Sequence, residues 1–265
     1  MKPRLFIALL MVACLVAPAR AQGRAASVQP GGGERSAFER PADPAEAPVF
    51  YVVEAGARVY AEPDASSRSS ARLDLREGVR VLAEEGDWSL IERNNRRGYV
   101  WSAHLSNIWI RVDKSDRELY VYRGAELIRT FPVDVSASDE DKERRSRRGV
   151  LDEYRIPEGE FFIARHNPNS RYYRALLISY PNRAHARRGL RQGLISEAQY
   201  EAIARAERNF EVPPMGTALG GLIEIHGQGS GRQRAWTRGC IALRNVHMDE
   251  LWDLVHVGAP IIIEP

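Results

Sequence analysis

From Pro48 onward the chain is a succession of short apolar–polar alternations broken by turn residues. VFYVV (49–53), GVRVLAEE (78–85), WSLIE (88–92) and GYVWS (98–102) are rich in β-formers, with much of the every-second-residue spacing of half-buried strands. Glu62-Pro63-Asp64 and Glu85-Gly86-Asp87 read as turns between such pieces. Strands this short and closely spaced predict a small β-barrel over residues 48–106. A second run, IWIRVDKSDRELYVYRGAELIRTFPVDV (108–135), alternates through three expected strands, with a turn at Arg123-Gly124. FFIAR (161–165), GGLIEIH (220–226) and PIIIEP (260–265) add further strands. The helical pattern is found twice. SEAQYEAIARAER (196–208) has Ser196 as N-cap and Ala198, Ile203 and Ala206 as its apolar positions. A second helix starts with Asn245 as cap, has Asp249 and Glu250 in its first turns, and stops before Gly258. The expected fold is therefore mainly β: a small barrel, then a β-rich domain over 107–265 with a few helices.

Two charged stretches interrupt this pattern. SASDEDKERRSRRG (136–149) reads as a solvated loop, as does the basic run of Arg183, Arg187, Arg188 and Arg191, which could contact acidic peptides.

The N-terminal residues follow a different logic. Lys2 and Arg4, the apolar stretch Leu5 to Val16, and Ala19-Arg20-Ala21 have the layout of a secretory signal peptide over 1–21. The apolar stretch is shorter than the roughly 20 residues a bilayer span needs, so no transmembrane segment is expected. Acylation at Cys14, as in a lipoprotein, is the alternative. Residues 22–47, rich in Ala, Gly, Pro and Ser with Gly31-Gly32-Gly33, lack an apolar period and read as a disordered linker. Export to the periplasm or cell wall is the expected destination. The presequence holds Lys2, Arg4 and Arg20 and no acid, so its removal takes the formal charge from +3 to zero. Without a basic excess, nucleic acid is not an expected partner.

Cleavage would also remove Cys14 and leave Cys240 as the sole cysteine. A lone cysteine in an oxidising compartment forms no internal disulfide; it is either a small buried hydrophobe or a thiol kept for reactivity. Its neighbours favour reactivity. His226 lies 14 residues upstream at the end of an expected strand, followed by Gly227. Cys240 follows Gly239 and opens the apolar run Ile241-Ala242-Leu243, where a loop enters a strand. A nucleophilic thiol needs a base such as His226 to take its proton. The Gly239 and Cys240 N–H groups are candidates to face a developing oxyanion. Glu224, two residues before His226 on the same strand face, is a possible orienter of the imidazole. A zinc site built from His226, Cys240 and His247 lacks any paired-ligand spacing. His104, His166, His185 and His256 have surface or structural settings.

His226-Gly227, the loop QGSGRQRAW, and Thr237-Arg238-Gly239-Cys240-Ile241 together resemble the catalytic motif of the L,D-transpeptidase (YkuD-type) family. The resemblance extends over 107–265, through LYVYRGAELIRTFPV and IPEGEFFI. Residues 48–106 resemble a bacterial Src-homology-3-like domain, in which Trp88, Tyr99 and Trp101 are either groove-lining or barrel-core aromatics. The resemblance implies Cys240 as nucleophile, His226 as general acid/base and the Gly227 carbonyl as the group orienting His226. It assigns Gly239, Thr237, Arg238 and Trp236 to oxyanion or substrate contacts. Many members have His where Arg238 stands and Arg where Ala242 stands. Arg238 cannot accept a proton, which leaves it to hold the thiolate or to clamp a stem-peptide carboxylate. The implied activity is a peptidoglycan transpeptidase forming a cysteinyl acyl-enzyme from a stem tetrapeptide, with no metal or other cofactor. Its acceptor would be an amine on another stem or on a wall-attached protein, and the enzyme is expected to be a monomer. Hydrolysis of the same acyl-enzyme would make it an L,D-carboxypeptidase or amidase. A non-catalytic peptidoglycan-binding protein is the reading of another class.

Overall fold

The computed structural model describes residues 48–145 and 155–265. The expected presequence (1–21) and linker (22–47) lie outside the described residues.

The small barrel comprises β1 (Val49–Val52), β2 (Arg58–Tyr60), β3 (Ser69–Arg72), β4 (Gly78–Glu85), β5 (Trp88–Arg93), β6 (Arg96–Trp101) and β7 (Leu105–Ser106). They form a seven-stranded sheet in the order β3-β2-β6-β5-β4-β1-β7. Its inward residues include Val52, Val59, Leu73, Val79, Ile91 and Val100. The β5–β6 hairpin turns on Asn94-Asn95, at φ 49° and 59°. Two left-handed central residues match the right-handed twist of a two-residue hairpin, and Asn tolerates that conformation.

The second domain begins with β8 (Ile108–Asp113), β9 (Glu118–Arg123), β10 (Glu126–Pro132) and β11 (Val135–Ser136). It continues through β12 (Gly159–Ser170), β13 (Tyr173–Ile178), α1 (Arg183–Arg191), α2 (Glu197–Arg208) and β14 (Glu224–His226). β15 (Ala235–Thr237), β16 (Ile241–Ala242), α3 (Asn245–Leu254) and β17 (Pro260–Glu264) complete it. Eight strands form one sheet in the order β10-β9-β8-β17-β12-β13-β14-β16, with β11 and β15 paired separately. The C-terminal strand thus lies inside the sheet, parallel to β8 and antiparallel to β12. Ile261 and Ile263 reach the main core with Ile110, Val121, Ile163 and Ile225.

Several local expectations need correction. The basic run is the helix α1, not a loop: the Asn182 side chain caps it, accepting from the His185 N–H, and its buried residues are His185, Ala186 and Gly189. In α2, Ser196 and Gln199 complete a capping box, but the buried positions are Ile203, Ala204 and Ala206, and Ala198 is exposed. Asn245 is the first residue of α3 and caps nothing. Only the last three residues of GGLIEIH are strand, because Gly220 and Leu222 take positive φ. The charged stretch 136–149 is described to Arg145 and is not wholly solvated, since Lys142 is 1 % exposed. Its neighbour Asp141 accepts from the Glu158 N–H at 2.8 Å and pairs with Arg188 at 2.5 Å.

The two domains are packed together. Tyr51 of the barrel joins Trp109 and Ile262 in one apolar cluster. Arg76, 6 % exposed, lies over the rings of Phe162 and Phe210 at 4.9 and 4.4 Å. Among the described residues no helix is long and apolar enough to cross a membrane.

Candidate active site

β14 and β16 run parallel, with Ile225 opposite Ile241 and His226 opposite Ala242. Continuing that register back by two residues sets Cys240 beside Glu224, on the sheet face that carries His226. Strand spacing and rise put the Cα atoms of such diagonal neighbours about 8 Å apart, within joint reach of an imidazole and a thiol.

His226 is 2 % exposed, stacked on Tyr172 at 4.6 Å and met edge-on by Trp236 at 6.2 Å. Its Nδ1 lies 2.7 Å from the Gly227 carbonyl oxygen. A carbonyl only accepts, so Nδ1 carries the proton and Nε2 is left as the basic nitrogen. Burial lowers the His226 pKa, and the Gly227 bond and the Asp134 charge partly restore it. At neutral pH the ring is therefore a neutral base. Glu224 does not orient it. The Glu224 carboxyl interacts with Asn167 and Arg165, and its pKa is raised by burial.

Glycine is required beside His226. A Cβ on Gly227 would stand 2.7 Å from Asn245 Oδ1 and 2.9 Å from Tyr173 Cβ. Asn245 Oδ1 accepts instead from the Gln228 N–H at 2.7 Å, bracing the turn that presents the carbonyl.

Cys240 is partly exposed as a residue, and its thiol donates to the Leu222 carbonyl at 3.7 Å. Burial pushes its pKa up to about 11; the Glu224 N–H lowers it, the Glu224 carboxylate raises it further, and Lys142 lowers it. The resting pair is thus a neutral thiol and a neutral imidazole.

The turn before Cys240 is held by an ordered relay. Thr237 Oγ1 donates to the Cys240 carbonyl at 2.6 Å. Because that proton is committed, Ser136 Oγ donates to Thr237 Oγ1 at 3.1 Å and accepts from the Gly239 N–H at 2.8 Å. Two expectations change accordingly. Thr237, 2 % exposed, is a buried brace and not a substrate contact. The Gly239 N–H is engaged by Ser136, leaving the Cys240 N–H as the main-chain oxyanion candidate. Gly239 itself is demanded by φ 105° and by the Arg155 carbonyl oxygen 2.9 Å from where a Cβ would stand.

Arg238 is exposed, and Trp236 is 43 % exposed beside His226. The cation that lowers the thiol pKa is Lys142. Sequence reasoning missed Lys142, Ser136 and Asp134, which have no motif spacing to His226 or Cys240. Among the described residues no group of three His, Cys, Asp or Glu is placed to hold a metal ion, and His247 packs against Phe131 at 5.2 Å.

Comparison with known proteins gives two family matches. The model of the L,D-transpeptidase catalytic domain matches residues 107–263, and that of the bacterial SH3 domain matches residues 55–106. No curated protein matches the chain. Among solved structures, one from Bdellovibrio bacteriovorus is 22 % identical, with 60 % of this chain and 48 % of that one covered and a TM-score of 0.39. The chain thus spans about half the length of that structure. An L,D-transpeptidase from Mycobacterium smegmatis is 14 % identical, with 83 % and 84 % covered and a TM-score of 0.35. L,D-transpeptidase 3 from Mycobacterium tuberculosis, in complex with a faropenem-derived adduct, is 9 % identical, with 78 % of each chain covered and a TM-score of 0.37.

Proposed function

The chain belongs to the L,D-transpeptidase catalytic-domain family, and on that premise we propose that it makes a thioester at Cys240 from a peptidoglycan stem tetrapeptide. The observation that carries this reading is the fixed tautomer of His226, whose free Nε2 shares a sheet face with the thiol. The Cys240 sulphur attacks the carbonyl carbon of the bond to the terminal D-residue while His226 Nε2 takes the thiol proton. The C–N bond then breaks, and the same proton passes from His226 to the departing amine. The Cys240 N–H stabilises the oxyanion; one such donor is worth about 3 kcal/mol in the transition state. Attack by an amine on the thioester releases the thiol and completes a cross-link or attaches a wall protein. If water takes that place, the enzyme is an L,D-carboxypeptidase or amidase.

Arg238 fits a carboxylate clamp, being exposed beside the nucleophile while Lys142 supplies the cation acting on sulphur. Residues 1–21 direct export to the periplasm or cell wall and are then removed, residues 22–47 serve as a linker ahead of the folded part, and the protein acts as a monomer. The bacterial SH3 domain docks on the wall. Tyr60, Trp88 and Trp101 form a contiguous aromatic group on it, with ring centroids 5.3 and 5.2 Å apart, and Trp101 is 40 % exposed.

The test is incubation of the exported protein with purified muropeptides and mass analysis of the products. Cross-linked dimers are expected with the parent, trimmed stems if water is the acceptor, and neither with Cys240→Ala. Faropenem should add one mass at Cys240. Turnover retained by Cys240→Ala refutes the reading. A parent that binds sacculi without turnover or adduct supports the non-catalytic alternative. Trp101→Ala should reduce co-sedimentation with sacculi and leave the Cys240 adduct intact.

A further inference from the structure

Asp134 attracts no notice in the sequence, where it is one acid at the end of an alternating strand. In the fold it is completely buried, between β10 and β11. Its carboxylate gathers four donors from the loop joining His226 to Cys240. Oδ2 accepts from the Ser230 N–H at 2.6 Å and the Trp236 Nε1–H at 2.6 Å. Oδ1 accepts from the Ser230 hydroxyl at 2.7 Å and the Arg234 N–H at 2.9 Å. Its main chain also pairs with Ala242, two residues after the thiol, through bonds of 2.8 and 2.9 Å. One residue therefore grips both the loop before Cys240 and the strand after it.

The loop needs such a grip. QGSGRQR contains no hydrophobic residue to bury, and its two glycines leave the backbone many conformations. Arg117 and Gln233 add a second tether, with the Arg117 guanidinium donating to the Gln233 carbonyl at 2.5 Å. Of these two tethers, the Asp134 cluster is the one that bonds the side chain of Trp236, whose indole meets the imidazole.

We infer that Asp134 is a positioning residue that clamps the Ser230–Trp236 loop, making Trp236 a fixed wall against His226 and holding the imidazole in line with Cys240. This rests on the reading of His226 and Cys240 as a working pair. Asp134 is buried beneath the loop and touches no reacting atom; it acts through the residues it holds and, at a distance, through its charge on the His226 imidazole.

Asp134→Asn is the sharpest test, because it preserves shape and replaces one acceptor oxygen with an N–H donor pair. Whichever way the amide turns, two of the four loop donors then face a donor. Trp236 emission, obtained by subtracting the Trp236→Phe spectrum in each background, should shift to longer wavelength, and its quenching by acrylamide should rise about two- to threefold. With tetrapeptide muropeptides, kcat should fall about tenfold or more while KM changes less than about threefold, since the group displaced packs against the base. Trp236→Phe keeps a ring but loses the bond. It should lower kcat in the same sense, and the double variant should be no worse than Asp134→Asn alone. Unchanged Trp236 quenching in Asp134→Asn, or additive losses in the double variant, overturns the inference. If Asp134→Asn does not fold, Trp236→Phe decides: parental kcat in that variant is equally fatal. Turnover surviving in Cys240→Ala would remove the functional reading alone, because the quenching arm measures the clamp without it.

Discussion

The Cys240 thiol donates to the Leu222 carbonyl, 3.7 Å away, and no bond from it to His226 is formed in the resting fold. The proton is held by a neighbouring carbonyl rather than surrendered to a base, which agrees with a thiol pKa pushed up to about 11 by burial. Alkylation of the parent by iodoacetamide should therefore be slow at neutral pH. Its rate should rise about tenfold per pH unit from pH 7 to 10, as followed by intact mass. A plateau near pH 6 would instead reveal a preformed thiolate–imidazolium pair.

Lys142 supplies the opposing field. Replacing the ammonium by an apolar group of similar length removes a lowering influence, so Lys142→Met should raise the thiol pKa further. At pH 8 the alkylation rate should drop about three- to tenfold. Arg238→Lys should leave that rate unchanged and raise KM for tetrapeptide stems several-fold, because Lys cannot reproduce a bidentate clamp. If the two variants exchange phenotypes, the assignment of the cations is reversed.

Thr237→Val keeps the shape of the brace and removes its hydroxyl. The Cys240 carbonyl and the Ser136 hydroxyl then each lose a partner in a buried setting, a change that typically costs about 1–3 kcal/mol. A lower thermal midpoint is expected, together with a fall in kcat as the thiol turn loosens. Thr237→Ser, which retains the hydroxyl, should recover most of both. Equal activity in Val and Ser variants would remove Thr237 from the positioning scheme.

Arg76 tests whether the bacterial SH3 domain is an appendage or a structural partner. Burial between the domains lowers its pKa to about 10, and its guanidinium covers two aromatic rings of the catalytic domain. Arg76→Ala removes this contact and leaves a void beside Gly258, whose Cβ position lies 2.9 Å from Arg76 Cγ. Calorimetry should give one cooperative unfolding step for the parent and two for Arg76→Ala. A single unshifted transition would mean that the Tyr51–Trp109–Ile262 cluster alone joins the domains.

Much of this protein is written in its local patterns. The two-residue period of β8 and β9, the Ser196 N-cap of α2 and the joint His-Gly and Gly-Cys motif all depend on near neighbours, so sequence alone determined the mainly β fold, the domain order and the candidate pair. It did not determine α1, because arginines mask the helical face formed by Ala186 and Gly189, nor the non-strand start of GGLIEIH, where a positive φ at Leu222 ends the regular backbone. The surroundings of Cys240 were decided by tertiary structure alone. Ser136 and Asp134 are each about 100 residues from the groups they hold, and Lys142 reaches the thiol from within a charged stretch whose composition suggests water. A hydrogen bond or a buried charge acts over a few ångströms of space and is indifferent to separation along the chain. Residues serving the site in this way leave no periodicity for the sequence to display.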